Sequence, residues 1–525
     1  MFFGENAVQK HLTMLKCKKG ADEMKERILL GREAKKCDEY TINTLGVPQR
    51  KLMENAAESL ANEIIKAKYD LSKTIVVCGS GNNGGDGFAA ARFLAEKARV
   101  LGLDFDIKTY FAGVDSAMTD ACAEQRQLAT SCGIEEMPEF CTEGVTLIID
   151  AIFGIGLCRS IDGKYKELIN KINASGATVV SADIPSGVCA DTGKIMGTAV
   201  KADMTVSFAS FKIGIFLYPG SELCGKVIKT DIGITTEALD DLQPVFTAQE
   251  LPPFPLPKRF PSSNKGIYGK ILIVGGAKNM AGAAYLSAIA AYRSGAGLVR
   301  IFTTEENRII LQTLLPEAVL ITYDQEIPQN ILENAISDSD AIVVGPGLSQ
   351  SEMAKAQLTC VLENAKCPLI LDADALNILA SDKNLWKNIP KNVIITPHMG
   401  EMSRLTKKSI DALKENQINE SLSFASQNGV VCVLKDARTA VSDGRQTYLN
   451  IKGNSGMSKG GAGDVLTGVI AAFAAQGVGC FEAASLGVYI HSLAGDIAAE
   501  RMGEYSLLAH DIADSISDAI KVSIS

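Results

Sequence analysis

Short runs of apolar residues, most of them closed by glycine or aspartate, recur along the chain. In the first half they are KTIVVCG (73–79), FDIKTYFAG (105–113), TLIIDAIFG (146–154) and ATVVSADIPSG (177–187). Their apolar character is continuous rather than alternating, which fits strands covered on both faces, and helical stretches such as residues 87–97 lie between them. The second half repeats the rhythm with KILIVGG (270–276), GLVRIFT (297–303), DAIVVGPG (340–347), PLILDAD (368–374) and NVIITPH (392–398). Such alternation builds parallel sheets with helices on both sides, so the chain reads as α/β with two doubly wound domains. VVCVLK (430–435) and TAVSDGRQTYLNI (439–451) read as a late antiparallel addition, with Asp443 and Gly444 at the hairpin turn. Strand ends beside glycine are where such sheets bind ligands, and each motif below falls at one.

The rhythm breaks at LPPFPLPKRFP (251–261), where five prolines in eleven residues exclude a helix interior or a central strand. The expected organisation is an N-terminal extension (1–25), a first domain (26–245), a proline-rich linker (246–262) and a second domain (263–525). A net charge of −9 without a basic stripe argues against nucleic acid as a partner. No apolar run reaches the ~20 residues of a membrane span, and the N-terminus lacks the apolar core of a secretory signal, so a cytoplasmic location is expected. The 13 cysteines are scattered with no C-x-x-C spacing, and several sit in strand-like runs, as reduced thiols packing like small hydrophobes would. Four histidines without ligand spacing make a zinc site an unattractive reading.

In the first half, residues 79–84 (GSGNNG) fit G-x-G-x-x-G directly after a strand, with Asp104 twenty residues beyond Gly84. Alone this would be a dinucleotide fingerprint. The loop continues through Gly85, Asp86 and Gly87, which puts a carboxylate where a pyrophosphate should sit; as an alternative, Asp86 could simply cap the following helix. Asp150 and Asp183 end successive strands, and Asp183 is followed by Ile184, Pro185, Ser186 and Gly187. With the amide oxygens of Asn82 and Asn83 they make a hard-oxygen cluster suited to a weakly bound cation or to acid–base work.

In the second half, residues 453–468 (GNSGMSKGGAGDVLTG) run into an apolar helix. Small residues at its start let backbone amides converge on an anion, and Asp464 in the first turn can point at the same spot. A carboxylate there would repel phosphate unless it takes a proton from an attacking hydroxyl; the bland reading is a helix N-terminal charge. No G-x-x-x-x-G-K-[ST] motif occurs.

GSGNNGGDGFAAARFL, DAIFGIGL and DIPSGVCADTG closely resemble the epimerase domain of the NAD(P)HX repair family, over about residues 30–235. GGAGD resembles the ribokinase-like superfamily, and ITPHMGEMSRL, LDADALNIL, GPGLS and YGKILIVGGA resemble its ADP- or ATP-dependent NAD(P)HX dehydratase branch, over about residues 255–520. The resemblance implies a Rossmann-like epimerase domain fused to a ribokinase-like dehydratase domain, forming a homo-oligomer. Its substrates would be NADHX and NADPHX with ADP or ATP, and its ions K⁺ in the first domain and Mg²⁺ in the second. It assigns K⁺ to Asn83, Asp150 and Ser186. It assigns the hydrated cofactor to Asn82, Asn83, Gly84, Gly85 and Asp86, to Gly154, Ile155, Gly156, Leu157, Cys158, Arg159 and Ser160, and to Asp183, which is also expected in proton transfer. Ile155 stands where the family usually has Thr.

In the second domain the resemblance makes Asp464 the base and gives the hydrated cofactor Gly347, His398, Gly400 and Glu401. The nucleotide would lie on Lys435, Asp436, Ala437, Arg438 and Thr439 and on Asn454, Ser455, Gly456, Met457, Ser458, Lys459, Gly460, Gly461, Ala462 and Gly463. Asp436 replaces the family's usual glycine there and could repel a phosphate. The alternative is a hydroxymethylpyrimidine- or sugar-type kinase fused to a non-catalytic Rossmann-like binding domain. A dehydrogenase would rest on the glycine fingerprint alone.

Overall fold

The structure, a computed structural model, describes residues 27–240, 245–248, 251–327 and 329–524. The extension expected at 1–25 lies outside them. The first sheet has seven strands: β1 (Thr74–Cys78), β2 (Ile107–Phe111), β3 (Glu135–Glu136), β4 (Leu147–Ala151), β5 (Thr178–Ala182), β6 (Met204–Phe208) and β7 (Lys226–Thr230). Their order is β3-β2-β1-β4-β5-β6-β7 and every pairing is parallel. Continuous apolar runs are needed because both faces are covered. Val76 and Cys78 pack under helices Gln49–Ala67 and Asn82–Leu101, while Ile75 and Val77 face Leu168, Ile169 and Ile172 of helix Gly163–Asn173.

The second sheet contains β8 (Val245–Thr247), β9 (Lys270–Val274), β10 (Leu298–Thr304), β11 (Val319–Tyr323), β12 (Ala341–Val344), β13 (Leu369–Leu371), β14 (Val393–Ile395), β15 (Val431–Leu434), β16 (Ala440–Ser442) and β17 (Gln446–Leu449). The order is β11-β10-β9-β12-β13-β14-β15-β16-β17-β8. It is parallel from β11 to β15, then antiparallel through the β16–β17 hairpin, whose turn places Gly444 at φ +90°. Helices Ala281–Arg293, Ala462–Ala475, Cys480–Met502 and Ala509–Ile524 cover one face, and Glu352–Asn364, Ala373–Ser381 and Met399–Thr406 the other.

β6, β7 and β11 have no counterpart among the strands read from the sequence. Edge strand β7 carries Lys226 and Lys229, and β6 hides Thr205 and Ser207, whose hydroxyls bond to backbone oxygens at Cys224 and Ser210. The expected boundary at 245/246 falls inside a strand. β8 adds to the second sheet beside β17, and Thr247 also bridges to Arg27. Nor is the proline-rich stretch a free spacer: Phe254 meets Phe481 edge-on at 6.0 Å, and Leu256 joins the same core. The halves also share a small core in which Ile28, Leu30, Ile213 and Leu217 meet Phe246, Ile418, Ala440 and Leu449.

Candidate active sites

In the first sheet the strand order reverses between β1 and β4, so the loops after these strands diverge around a crevice. The loop after β1 enters helix Asn82–Leu101 at Gly81 without a side-chain cap, so Asp86 does not serve as one. The glycines are there for packing. A Cβ on Gly84 would stand 1.9 Å from the Gly79 oxygen, and one on Gly87 would stand 2.6 Å from Ala151 Cβ. Asp104 precedes β2 on an exposed turn. It therefore sits at the opposite end of the parallel strands from the glycine loop, about 17 Å away at ~3.3 Å per residue, where it cannot hold a ribose. The dinucleotide fingerprint fails on this geometry.

The crevice opens into a cavity of about 1040 Å³. Of the expected residues, Asn82, Asn83, Asp86, Gly154, Ile155, Gly156, Leu157, Cys158, Arg159 and Asp183 line it. Gly84 and Gly85 lie beneath the wall, the latter against Met53, and the Ser160 hydroxyl packs under Gly197.

Two clusters occupy this region. Asp150, fully buried at the end of β4, accepts from the Ser181 hydroxyl and Ser186 N–H at 2.8 Å each, from the Ser186 hydroxyl at 2.5 Å and from Ile152 N–H at 3.3 Å. Asn83 lies beside Gly154 with both polar side-chain atoms buried and unpartnered. In the second cluster, Asp183 follows β5 in the left-handed region at φ +66°. Its carboxylate is ion-paired with the ammonium of buried Lys212, accepts from Phe208 N–H at 3.0 Å, and Lys212 also donates to the Phe208 oxygen at 2.9 Å. Burial, and then the neighbouring Asp183, push the Asp86 carboxyl well above the usual range. Both causes favour the protonated form of Asp86. Lys212 was missed in the sequence because it stands in a loop, four residues past β6, with no motif of its own.

The second site gathers at the carboxyl ends of β13, β14 and β15, which deliver Asp372, His398 with Glu401, and Lys435. Lys435 donates to Asp372 at 2.8 Å and its ammonium also approaches Gly463, where an added Cβ would stand 3.2 Å away. Helix Ala462–Ala475 starts at Gly461, held at φ +93°, and brings Asp464 to the same place. Burial, then Asp372, raise the Asp464 carboxyl to about 7, with Lys435 opposing. Glu401 is likewise raised to about 7, chiefly by burial. His398 caps helix Met399–Thr406: its Nδ1 accepts from Gly400 N–H at 2.9 Å, and Glu401 accepts from His398 N–H at 2.9 Å. With Nδ1 accepting, the neutral ring carries its proton on Nε2, 3.3 Å from Glu401. Gly347, at φ +57°, packs on Met280 beside this crevice.

The remaining expected residues divide. Asn454 is tied to Asp496 at 2.9 Å, Ser455 to Glu504, Met457 packs against Gly495, and Lys459 donates to the Tyr505 oxygen at 2.7 Å. Ser458 and Gly460 are exposed, as are Asp436 and Ala437, while Thr439 is partly buried. Arg438 points away from the others, donating to the Phe216 oxygen of the first domain at 3.1 Å and to the Ile451 oxygen at 3.0 Å. Asp372 was missed, although LDADALNIL contains it, because a strand-end aspartate more often caps a helix.

The fold and its two sites define a two-domain α/β enzyme, with carboxyls around a cavity in one half and a glycine-rich helix start beside Asp464 in the other. A family model described as NAD(P)H-hydrate dehydratase matches residues 271–518, and one described as YjeF-related protein N-terminus matches residues 49–214. The bifunctional NAD(P)H-hydrate repair enzyme Nnr of Thermofilum pendens is 35% identical over 508 residues, covering 93% of this chain and 95% of the relative. That of Escherichia coli K12 is 34% identical, covering 90% and 89%. Among solved structures, the ADP/ATP-dependent NAD(P)H-hydrate dehydratase of Bacillus subtilis, co-crystallised with ATP/Mg²⁺, is 33% identical with a TM-score of 0.46, over 51% of this chain and 94% of that one. The chain belongs to the family of bifunctional NAD(P)H-hydrate repair enzymes. Among its described residues no helix is long and apolar enough to cross a membrane, and the 12 described cysteines are all free.

Proposed function

We propose that the chain restores NAD(P)H from its hydrates in two steps. The first half interconverts the R and S epimers, and the second phosphorylates the C6 hydroxyl of the S epimer with ADP or ATP, after which phosphate leaves. The observation that carries the reading is Asp464, a carboxyl raised to about 7 beside the glycine-rich start of a helix. A base with a pKa near the working pH can take the hydroxyl proton, while the first-turn amides from Gly460 to Gly463 receive the transferred phosphoryl charge. Lys435 and the carboxylates Asp372 and Glu401 fix the floor of that site. Mg²⁺ would neutralise the phosphates of the donor.

In the first half, buried Asn83 with an unpartnered amide oxygen, the Ser186 hydroxyl and Asp150 offer hard oxygens with a single carboxylate, which suits a monovalent cation such as K⁺. The ion would supply fixed positive charge beneath the bound hydrate, and Asp183 would move protons on it. Among the described residues no group of three or more His, Cys, Asp or Glu could hold a metal ion.

The test is to incubate the protein with mixed R and S NADHX, Mg²⁺ and either nucleotide, and to follow restored NADH. Complete recovery of both epimers is expected. If neither nucleotide restores NADH, the reading is wrong. A stable phosphorylated product would favour the kinase alternative. Replacing K⁺ by Li⁺ should slow recovery of the R epimer and leave that of the S epimer unchanged.

A further inference from the structure

A hydrated dinucleotide presents the dehydratase half with an uncharged ring at one end and a pyrophosphate one ribose away. The groups around Asp464 do not suit that charge. Asp372, Asp374 and Glu401 gather there with it, and the buried cation Lys435 is committed to Asp372. A second cation is needed, close to the ring but clear of the reacting hydroxyl.

Arg404 stands in the second turn of helix Met399–Thr406, whose start carries His398, Gly400 and Glu401. A long side chain on a helix leans back over the preceding turn. Arg404 does so, since a Cβ added at Gly400 would stand 3.9 Å from its Nη1. Its Nε donates to Asn377 Oδ1 at 2.8 Å, and Asn377 belongs to helix Ala373–Ser381, which begins at Asp372. Asn377 thus orients the guanidinium by one nitrogen. Among the described residues no group accepts from Nη1 or Nη2, and no carboxylate pairs with Arg404. The charge is felt in the site: after burial and Lys435, Arg404 helps hold the His398 ring below the usual imidazole range. A planar fork held at one nitrogen and open at the other two can take two phosphate oxygens side by side.

We propose that Arg404 grips the pyrophosphate of the hydrated dinucleotide and is a substrate-positioning residue of the dehydratase. This rests on the dehydratase reading of the second half. Two other phosphates could visit the crevice, and the fold argues against each. Those of the donor belong at the start of helix Ala462–Ala475, which covers one face of the sheet, whereas Arg404 and Asn377 stand on helices covering the other. The 2′-phosphate of the NADP form lies past the pyrophosphate, at the adenosine end, farther from a guanidinium that reaches back over Gly400.

The experiment compares the full-length wild type with Arg404→Gln on three S hydrates, those of NADH, NADPH and dihydronicotinamide riboside, the last lacking any phosphate. Arg404→Gln should raise KM for NADHX and NADPHX alike by about 10- to 100-fold, with kcat and the nucleotide KM nearly unchanged. Arg404→Lys should recover part of the loss, because it keeps the charge without the fork. On the riboside hydrate the two proteins should have equal kcat/KM, since the group that Arg404 holds is gone. A residue that only ties two helices together would lower that rate as well, and such a result overturns the proposal. A wild type inert toward the riboside hydrate bears out the need for phosphate, and the NADHX arm then decides. Loss confined to NADPHX, a rise in the nucleotide KM alone, or unchanged NADHX kinetics would each overturn the role of Arg404. A wild type that restores no NADH from S-NADHX overturns the dehydratase reading and this inference together.

Discussion

The two sites are built from the same pair in different surroundings. Each has a strand-end aspartate ion-paired to a lysine from a neighbouring loop, Asp183 with Lys212 in the first half and Asp372 with Lys435 in the second. Each also has carboxyls raised by burial and by that aspartate, Asp38 and Asp86 in one and Asp464 and Glu401 in the other. The difference lies in what faces them. The first pair borders a walled cavity, with Lys212 only 3% exposed. The second borders a glycine-rich helix start, with Lys435 19% exposed. Moving protons on one substrate needs acids and bases around an enclosed ring. Transferring a phosphoryl group also needs amides aimed at a charge that arrives with a second ligand.

The largest effect is expected at Asp464. Asp464→Asn should reduce NADH recovery from the S epimer by about 10³-fold while R-to-S conversion continues. In the wild type, the dehydratase rate should climb as pH rises through about 7, because the base must be ionised. The same residue should be a burden on stability. Its carboxyl is raised in the folded state, so the fold binds its proton more tightly than the unfolded chain does; that contribution is full below about pH 4 and is lost as pH rises through about 7. Asp464→Asn should therefore unfold at higher denaturant than wild type at pH 8, by something on the order of 2–4 kcal/mol, with little difference at pH 4. Equal stability at both pH values would remove the argument that Asp464 is held poised.

The lysines sharpen the comparison directly. Lys212→Met leaves a buried Asp183 charge without its partner, which should cost about 3–5 kcal/mol in urea unfolding and abolish use of the R epimer. Lys435→Met should cost a similar amount, since the Asp372 side chain it would leave unpaired is only 2% exposed, against 12% for Asp183. If Lys435→Met costs clearly less, the exposure of the lysine and not that of the carboxylate sets the cost.

Much of this arrangement was legible in the sequence, and what was not has physical causes. Continuous apolar runs revealed the central strands, and GGAGD and NNGGDG marked both strand-end sites. The glycine motif misled in one respect, since Gly84 and Gly85 are required by their contacts with Gly79 and Met53 and lie beneath the cavity wall rather than in it. Lys212 and Asp38 could not be found by pattern. One is in a loop and the other is one of several charged residues on a helix with Arg32, Lys35, Lys36 and Glu39, and only the tertiary fold brings Asp38 to the cavity that Asp183 lines. Edge strand β8 was invisible because three residues, Val245 to Thr247, are too few to show a period.

Arg438 offers the smallest effect and a clean contrast with its neighbours. It stands in the stretch expected to hold the nucleotide, yet its guanidinium reaches across to the Phe216 oxygen and lies 5.0 Å from the Tyr218 ring, both in the first half. Its second bond, to the Ile451 oxygen, ties that contact to the loop leading into residues 453–463. Arg438→Ala should then loosen the junction between halves, lowering stability by about 1–2 kcal/mol, the usual worth of a charge-assisted hydrogen bond with its packing. The KM for ADP or ATP should change by less than about twofold, because the side chain faces away from Asp464 and Gly463. Asp436→Gly, at an exposed position in the same stretch, should do the reverse, lowering the nucleotide KM a few-fold by removing a charge and leaving stability nearly unchanged. A large KM effect of Arg438→Ala would mean that the side chain turns toward the nucleotide and gives up its contact with Phe216.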